Sequence, residues 1–213
     1  MKTNQNSNFY IIGGLCGIIG TLNYIIVITL PFSPSITFSF AMSWPILTII
    51  FAFSVYKYFA MYKQTISNQL AFLFTCIAFI LVGIMLSIQL VVQTGLEESI
   101  INASGVEKDT LILISKSLRW VDLGVDLAWD MFLGVALILL SFVIKRHPKF
   151  GLWWSIPLAI LALAVVILNL FTFPNPPETM GVIDVGPIIG TFIIIFATRI
   201  VYLGIKMKSD SAE

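Results

Sequence analysis

Six apolar stretches, each about as long as a bilayer is thick, leave this chain few ways to fold. A helix rises about 1.5 Å per residue, so roughly 20 apolar residues cross a hydrocarbon core of ~30 Å. The stretches fall at approximately 9–30, 43–60, 70–92, 119–144, 152–171 and 186–203. In hydrocarbon the backbone must satisfy its own hydrogen bonds, which long continuous apolar runs do as helices. The expectation is an all-α membrane protein with six transmembrane helices and a single membrane domain over 1–213. Composition agrees, with 58% hydrophobic and only 11% charged residues, against about 25% charged in soluble domains. A net charge of +1 and the lack of an arginine-aromatic patch exclude nucleic acid as a partner.

The fourth run departs from the others. It opens Arg119-Trp-Val-Asp122-Leu-Gly-Val-Asp126-Leu-Ala-Trp-Asp130-Met-Phe-Leu-Gly134 and stays apolar to Ile144. At helical spacing Arg119, the three acids and Gly134 share one stripe, and Asp130 lies about 12 Å along the axis from Asp122. A carboxylate facing lipid costs roughly 3 kcal/mol or more, so the stripe is expected to face protein or water. Arg119 can pair with Asp122 at i+3. Asp126 and Asp130 lack a cation at helical spacing and need amide partners, a bound cation or a proton.

The first run carries Gly13-x-x-x-Gly17 with Gly14 and Gly20, small positions that let helix backbones approach closely. Ordinary packing within the chain is the expectation there, not dimerisation. The run is too long for a signal peptide, no small-residue cleavage site closes it, and it reads as a retained first helix. Cys16 and Cys76 lie in apolar runs and read as small buried hydrophobes. The single histidine, His147, sits in the basic stretch Lys145-Arg-His-Pro-Lys149. One histidine gives no paired ligands for haem or a histidine-rich metal site, so no cofactor is expected. The segment from Thr94 to about Lys116 reads as the longest polar connection, holding Glu97, Glu98, Glu107 and Asp109.

Orientation follows from basic residues, which collect on the cytoplasmic side. Lys2, Lys57, Lys63, Lys145, Arg146, Lys149, Arg199, Lys206 and Lys208 fall on one side, against Lys108, Lys116 and Arg119 on the other. That distribution places both termini in the cytoplasm of a cell whose inner (plasma) membrane the chain spans. With this topology Asn23, Gln89, Gln93, Asp122, Asp126, Asp130, Asn169 and Asp184 all fall in the outer half, as if lining one outward-facing polar cavity. A faint parallel repeat also relates the first and last hairpins. Asn23 precedes Pro45-Ile-Leu-Thr-Ile-Ile and Lys57, and Asn169 precedes Pro187-Ile-Ile-Gly-Thr-Phe and Arg199. Chance similarity between apolar helices accounts for it at least as well.

The candidate ligand-binding set is therefore Asp126, Asp130, Asp122, Asn23, Gln89, Asn169 and Asp184. A titrating carboxyl suits coupled transport, and carboxylates at i and i+4 suit a cation site. An enzyme is less expected. Although D-x-x-x-D on a membrane helix can hold magnesium against a diphosphate, the companion motifs of lipid-synthesising transferases and of membrane proteases are missing from the sequence. Asp126-Leu-Ala-Trp-Asp130, Lys145-Arg-His-Pro-Lys-Phe-Gly151, Asn169 with Phe173-Pro-Asn-Pro-Pro177, and Asp184-Val-Gly-Pro187 together resemble the C-terminal half of an uncharacterised family of small bacterial multi-pass membrane proteins. The resemblance covers about residues 119–203 and implies a six-span bacterial membrane protein, with no chemistry attached. The reading is a membrane protein that binds a small cation, proton or polar ligand for transport or sensing. The alternatives are a structural or accessory membrane protein without a ligand, and a metal-dependent lipid-modifying enzyme. Besides the bilayer and such a ligand no partner is indicated, and nothing supports a homo-oligomer.

Overall fold

In a computed structural model that describes residues 2–175, 177–181 and 185–210, the described chain is helical throughout, without strands. The α-helices are α1 (Lys2–Thr29), α2 (Pro34–Tyr62), α3 (Ile66–Ser87), α4 (Thr94–Asn102), α5 (Gly105–Lys145), α6 (Leu152–Thr172) and α7 (Gly186–Ser209). Six helical stretches are long and apolar enough to cross a membrane, the third being α3 continued into α4. The start of α1 and the end of α7 lie together at one end of the bundle, the basic one, where Gly204 packs on Ser7 and Ile11, and the α2–α3 and α5–α6 turns lie at the same end.

Helix limits follow local chemistry. Ser33 is extended ahead of Pro34, which starts α2 where the missing N–H costs nothing. Thr65 caps α3, its side chain accepting from the backbone N–H of Asn68 at 3.2 Å. Between α3 and α4 the helix does not break but widens into a π-helical segment, Ile88–Gln93. The expected polar connection is thus mostly a helical hairpin of α4 and the start of α5. No proline occurs between Pro45 and Pro148, and only the Ala103–Ser104 link, followed by Gly105 at φ +57°, reverses the chain. The 41 residues of α5 extend about 60 Å, twice the hydrocarbon thickness, so its first turns reach beyond the bilayer at the acidic end.

The helices neighbour one another in the order α7, α1, α2, α3, α5, α6. Glycines set the closest crossings. A Cβ at Gly13 would overlap the Ser54 side chain on α2, and one at Gly14 would lie 2.8 Å from the Ala197 carbonyl oxygen on α7. The small-residue stripe of α1 therefore serves packing inside the chain. At the far side of the ring the backbones of α6 and α7 stay apart, and Trp154 bridges them against Phe192 and Phe196. The two hairpins related by the faint sequence repeat are thus packed differently. Pro45 is buried inside α2 whereas Pro187 opens α7.

The basic end is closed by aromatic packing. Tyr10, Tyr58, Phe59, Phe150 and Phe196 are buried there with Ile144, Leu158 and Ile200. The α5–α6 loop takes part, because His147 is only 6% exposed, against Tyr58, Phe59, Tyr62 and Phe150. Its Nδ1 accepts the Lys149 backbone N–H at 3.2 Å, and its carbonyl accepts from Phe150 and Gly151.

Two expectations follow. Gly134 faces α6, where an added side chain would overlap Val166, whereas Gly124 has open space. Thermal or denaturant unfolding in detergent should show Gly134→Leu destabilising by about 1–3 kcal/mol, with Gly124→Ala neutral or stabilising by up to about 1 kcal/mol. Equal effects would refute the α5–α6 contact. Burial, aided by the Lys149 charge, pushes the His147 imidazole below its ordinary range. The fold therefore favours the neutral ring, and its stabilisation is complete above about pH 6.5 and declines as pH falls, because the unfolded chain takes up a proton that the folded one resists. His147→Gln should flatten that decline in a pH series of unfolding temperatures.

Candidate functional site

Four residues of α-helix turn the face by about 40°, so an acid stripe at 122, 126 and 130 rotates by about 80° from end to end. That rotation divides it between two neighbours of α5. Asp122 turns to the α3 side and Asp130 to α6.

Asp122 is 8% exposed. Its Oδ2 accepts from Gln89 Nε2 at 3.0 Å and, at a longer 3.5 Å, from Gln93 Nε2. Both glutamines belong to the π-helical segment. Residues four apart lie on one face of the segment, which directs two amides toward one oxygen. The other oxygen, Oδ1, is buried and has no hydrogen-bond partner. The expected pairing with Arg119 is not made, and Arg119 is exposed. Its long side chain gains more from water at this end than from following Asp122 into the helix contact.

Asp130 is half-buried and accepts from Asn169 Nδ2 at 2.7 Å. Asn169 is 6% exposed, and its Nδ2 also donates to the Val165 carbonyl of its own helix at 3.0 Å. With its donors engaged, its Oδ1 remains an acceptor. Asp126 is half-buried between the two amide pairs and lines a small pocket with Leu123, Leu127, Asn169, Phe173, Pro174 and Asn175. The space open to the centre of a water-sized particle is about 10 Å³, enough for roughly one water molecule.

The polar residues expected to share one cavity thus occupy three places. Gln89, Gln93 and Asp122 join α3 to α5, whereas Asp126, Asp130 and Asn169 meet at α5 and α6. Asn23 stands apart, its Nδ2 donating to Ser43 Oγ on α2 at 2.9 Å. Asp184 lies outside the described residues. A larger cavity, with about 70 Å³ open to water-sized centres, lies between α2, α3, α5, α6 and α7 and is walled chiefly by rings and leucines, including Phe51, Phe79, Leu137 and Phe192. It contains none of the acids.

Three residues near the site, Trp129, Trp44 and Asn175, were given no role by the sequence reading. Trp129 and Trp44 meet edge to face at 6.0 Å, and both indole N–H groups are buried without an acceptor. Trp129 follows Asp122 by seven residues, about two turns, so the stripe itself carried that signal. Asn175 in the proline-rich connection carried none. Among the described residues no three of His, Cys, Asp and Glu converge. A cation here would be held by one or two carboxylates together with amide or carbonyl oxygens, the donor set of hard ions. Comparison with protein-family models, curated proteins and solved structures gives no match.

Removing one donor should expose the pairing. Gln89→Leu should lower stability by about 1–3 kcal/mol, because it leaves the buried Asp122 carboxylate short of a hydrogen bond. In an Asp122→Leu background the same change should cost much less. Additive effects in that double-mutant cycle would show that the two side chains do not interact.

Proposed function

We propose that this multi-pass membrane protein binds a water-sized cation, or a proton in its place, at the carboxylates of α5, in the service of transport or sensing. The observation that carries the reading is Asp122, a carboxylate more than nine-tenths buried with amides at one oxygen and nothing at the other. Isolated buried charge is strongly disfavoured, and a cation at the bare oxygen relieves it. The pocket at Asp126 supports the same chemistry and sets its scale. Room for about one water favours an ion over the polar organic ligand that the sequence also admitted.

Depth supports the assignment. If Lys145 marks the basic interface, Asp122 lies about 35 Å away along α5, at the opposite boundary of the bilayer, and Asp130 about 12 Å deeper than Asp122. The carboxylates then descend from the acidic end into the membrane as successive stations. The excess of Lys and Arg at the other end supports placing both termini in the cytoplasm of a bacterial cell, with the acidic end outside.

Asp→Asn changes at 122, 126 and 130 keep shape and remove the charge. Stability of the purified protein should rise with a suitable monovalent or divalent cation, by about 2.7 kcal/mol at a hundredfold excess over Kd. The rise should weaken in acid, where protons compete for the carboxylates, and it should vanish in the variants. Identical stability of wild type and all three variants from pH 5 to 8, with and without cations, would leave the acids as interhelical fasteners of a structural protein.

A further inference from the structure

At the basic end, a third cavity lies between the α2–α3 turn and the last turns of α5. It has about 160 Å³ open to water-sized centres and is lined by Phe59, Tyr62, Lys63, Thr65, Ser67, Phe142, Val143 and Arg146. Lys63 and Arg146 approach it from opposite helices. Thr65 and Ser67 belong to the first turn of α3, whose free N–H groups add positive potential. Among the described residues no carboxylate lines the cavity. No Asp or Glu precedes Glu97, and none lies between Asp130 and Glu178, so α2, α3 and the basic half of α5 bring no acid to this end.

The walls differ from the rim. Phe59 and Val143 form an apolar side, and Phe142 is 56% exposed on the surface that a bilayer would cover. The rim is rigidly placed, because Arg146 immediately precedes His147, whose ring is packed against Tyr62 at 4.9 Å between centroids.

We infer that this cavity binds the phosphate of an anionic phospholipid, Lys63 and Arg146 holding the phosphate oxygens, the Thr65 and Ser67 hydroxyls donating to them, and the acyl chains lying against Phe142. Two uncompensated cations beside hydroxyl donors call for a phosphate group. A guanidinium meets its oxygens in bidentate fashion and an ammonium as a point charge. Continuity of that polar rim with an exposed apolar wall favours a lipid headgroup over free phosphate. Basic pockets between spans at the membrane surface are suited to such headgroups. This site is independent of the carboxylates at the other end.

The test uses the full-length protein in mixed micelles and in vesicles of phosphatidylglycerol or phosphatidylcholine, with lipid binding read by native mass spectrometry and thermal stability. Wild type should prefer phosphatidylglycerol, and Lys63→Gln and Arg146→Gln should each weaken that preference by about fivefold, the effect of one cation near a membrane surface. Lys206→Gln with Lys208→Gln, basic residues of the same end outside the cavity, should leave it unchanged. All variants should unfold at similar temperatures in phosphatidylcholine, whose phosphate charge is already balanced within the headgroup by choline. Ser67→Ala, which removes a hydroxyl without touching charge or the Thr65 cap, gives a second reading if either cation variant folds poorly, and it should also weaken the preference. Equal loss in the Lys206/Lys208 variant, or no preference in wild type, would overturn the site. Stabilisation by inorganic phosphate equal to that by phosphatidylglycerol would overturn the lipid assignment.

Discussion

Hydrocarbon offers a carboxylate no hydrogen bonds, so the acids of α5 fix what must stand beside them. Each one that penetrates the helix contact requires donors from a neighbouring helix. The donors present are amides: Gln89 and Gln93 from the α3 side, and Asn169 from α6. Amides give hydrogen bonds without adding charge. They hold the carboxylates in place across the helix contacts.

The fold was legible because its governing signal is length and apolarity, which six runs carry independently of detail. The candidate site was legible only as a set of residue types. Treating 119, 122, 126, 130 and 134 as one stripe ignored the rotation of about 40° per four-residue step. Over Asp122 to Asp130 that rotation is enough to send the ends of the stripe to different neighbours. The π-helical segment was hidden for another reason. Ile88-Gln-Leu-Val-Val-Gln93 contains neither glycine nor proline, and nothing local separates it from an ordinary turn. The pairing of both glutamines with one oxygen is a tertiary event. The segment after Thr94 was expected as a polar connection with a short surface helix at most, and it is helical for nearly its whole length. Polar character argues for water, and a helix projecting beyond the bilayer satisfies that equally well.

Charge is divided between the two ends of the bundle. The acidic end receives Glu97, Glu98, Glu107 and Asp109 on the projecting hairpin, followed by the descending aspartates. The basic end has cations set among aromatic rings, with Arg199 over Phe150 and Tyr202 and its guanidinium donating to the Lys149 carbonyl at 3.3 Å. Rings there shield the backbone of a loop that composition alone would leave in water. Each end therefore presents a different chemistry to its own compartment, and the apolar cavity between them connects neither to the acids nor to the basic rim.

The packing around the acids is asymmetric. Helix α1 is gripped on both flanks through glycines, and α5 is gripped on both flanks by α3 and α6. Helix α6 has close backbone neighbours on one flank only, and Trp154 spans the gap to α7. The Asp130–Asn169 bond lies on that one gripped flank, next to the Asp126 pocket. If the proposed ion enters this pocket, it would compete with Asn169 for carboxylate oxygens, and its occupancy would bear first on the contact between α5 and α6. By contrast, Asp122 sits in the tightly packed seam with α3, where a change of charge meets helices held on both sides. On the proposed function, binding at the Asp130 end would act on a helix held on one flank, whereas binding at Asp122 would act on a seam between helices held on both.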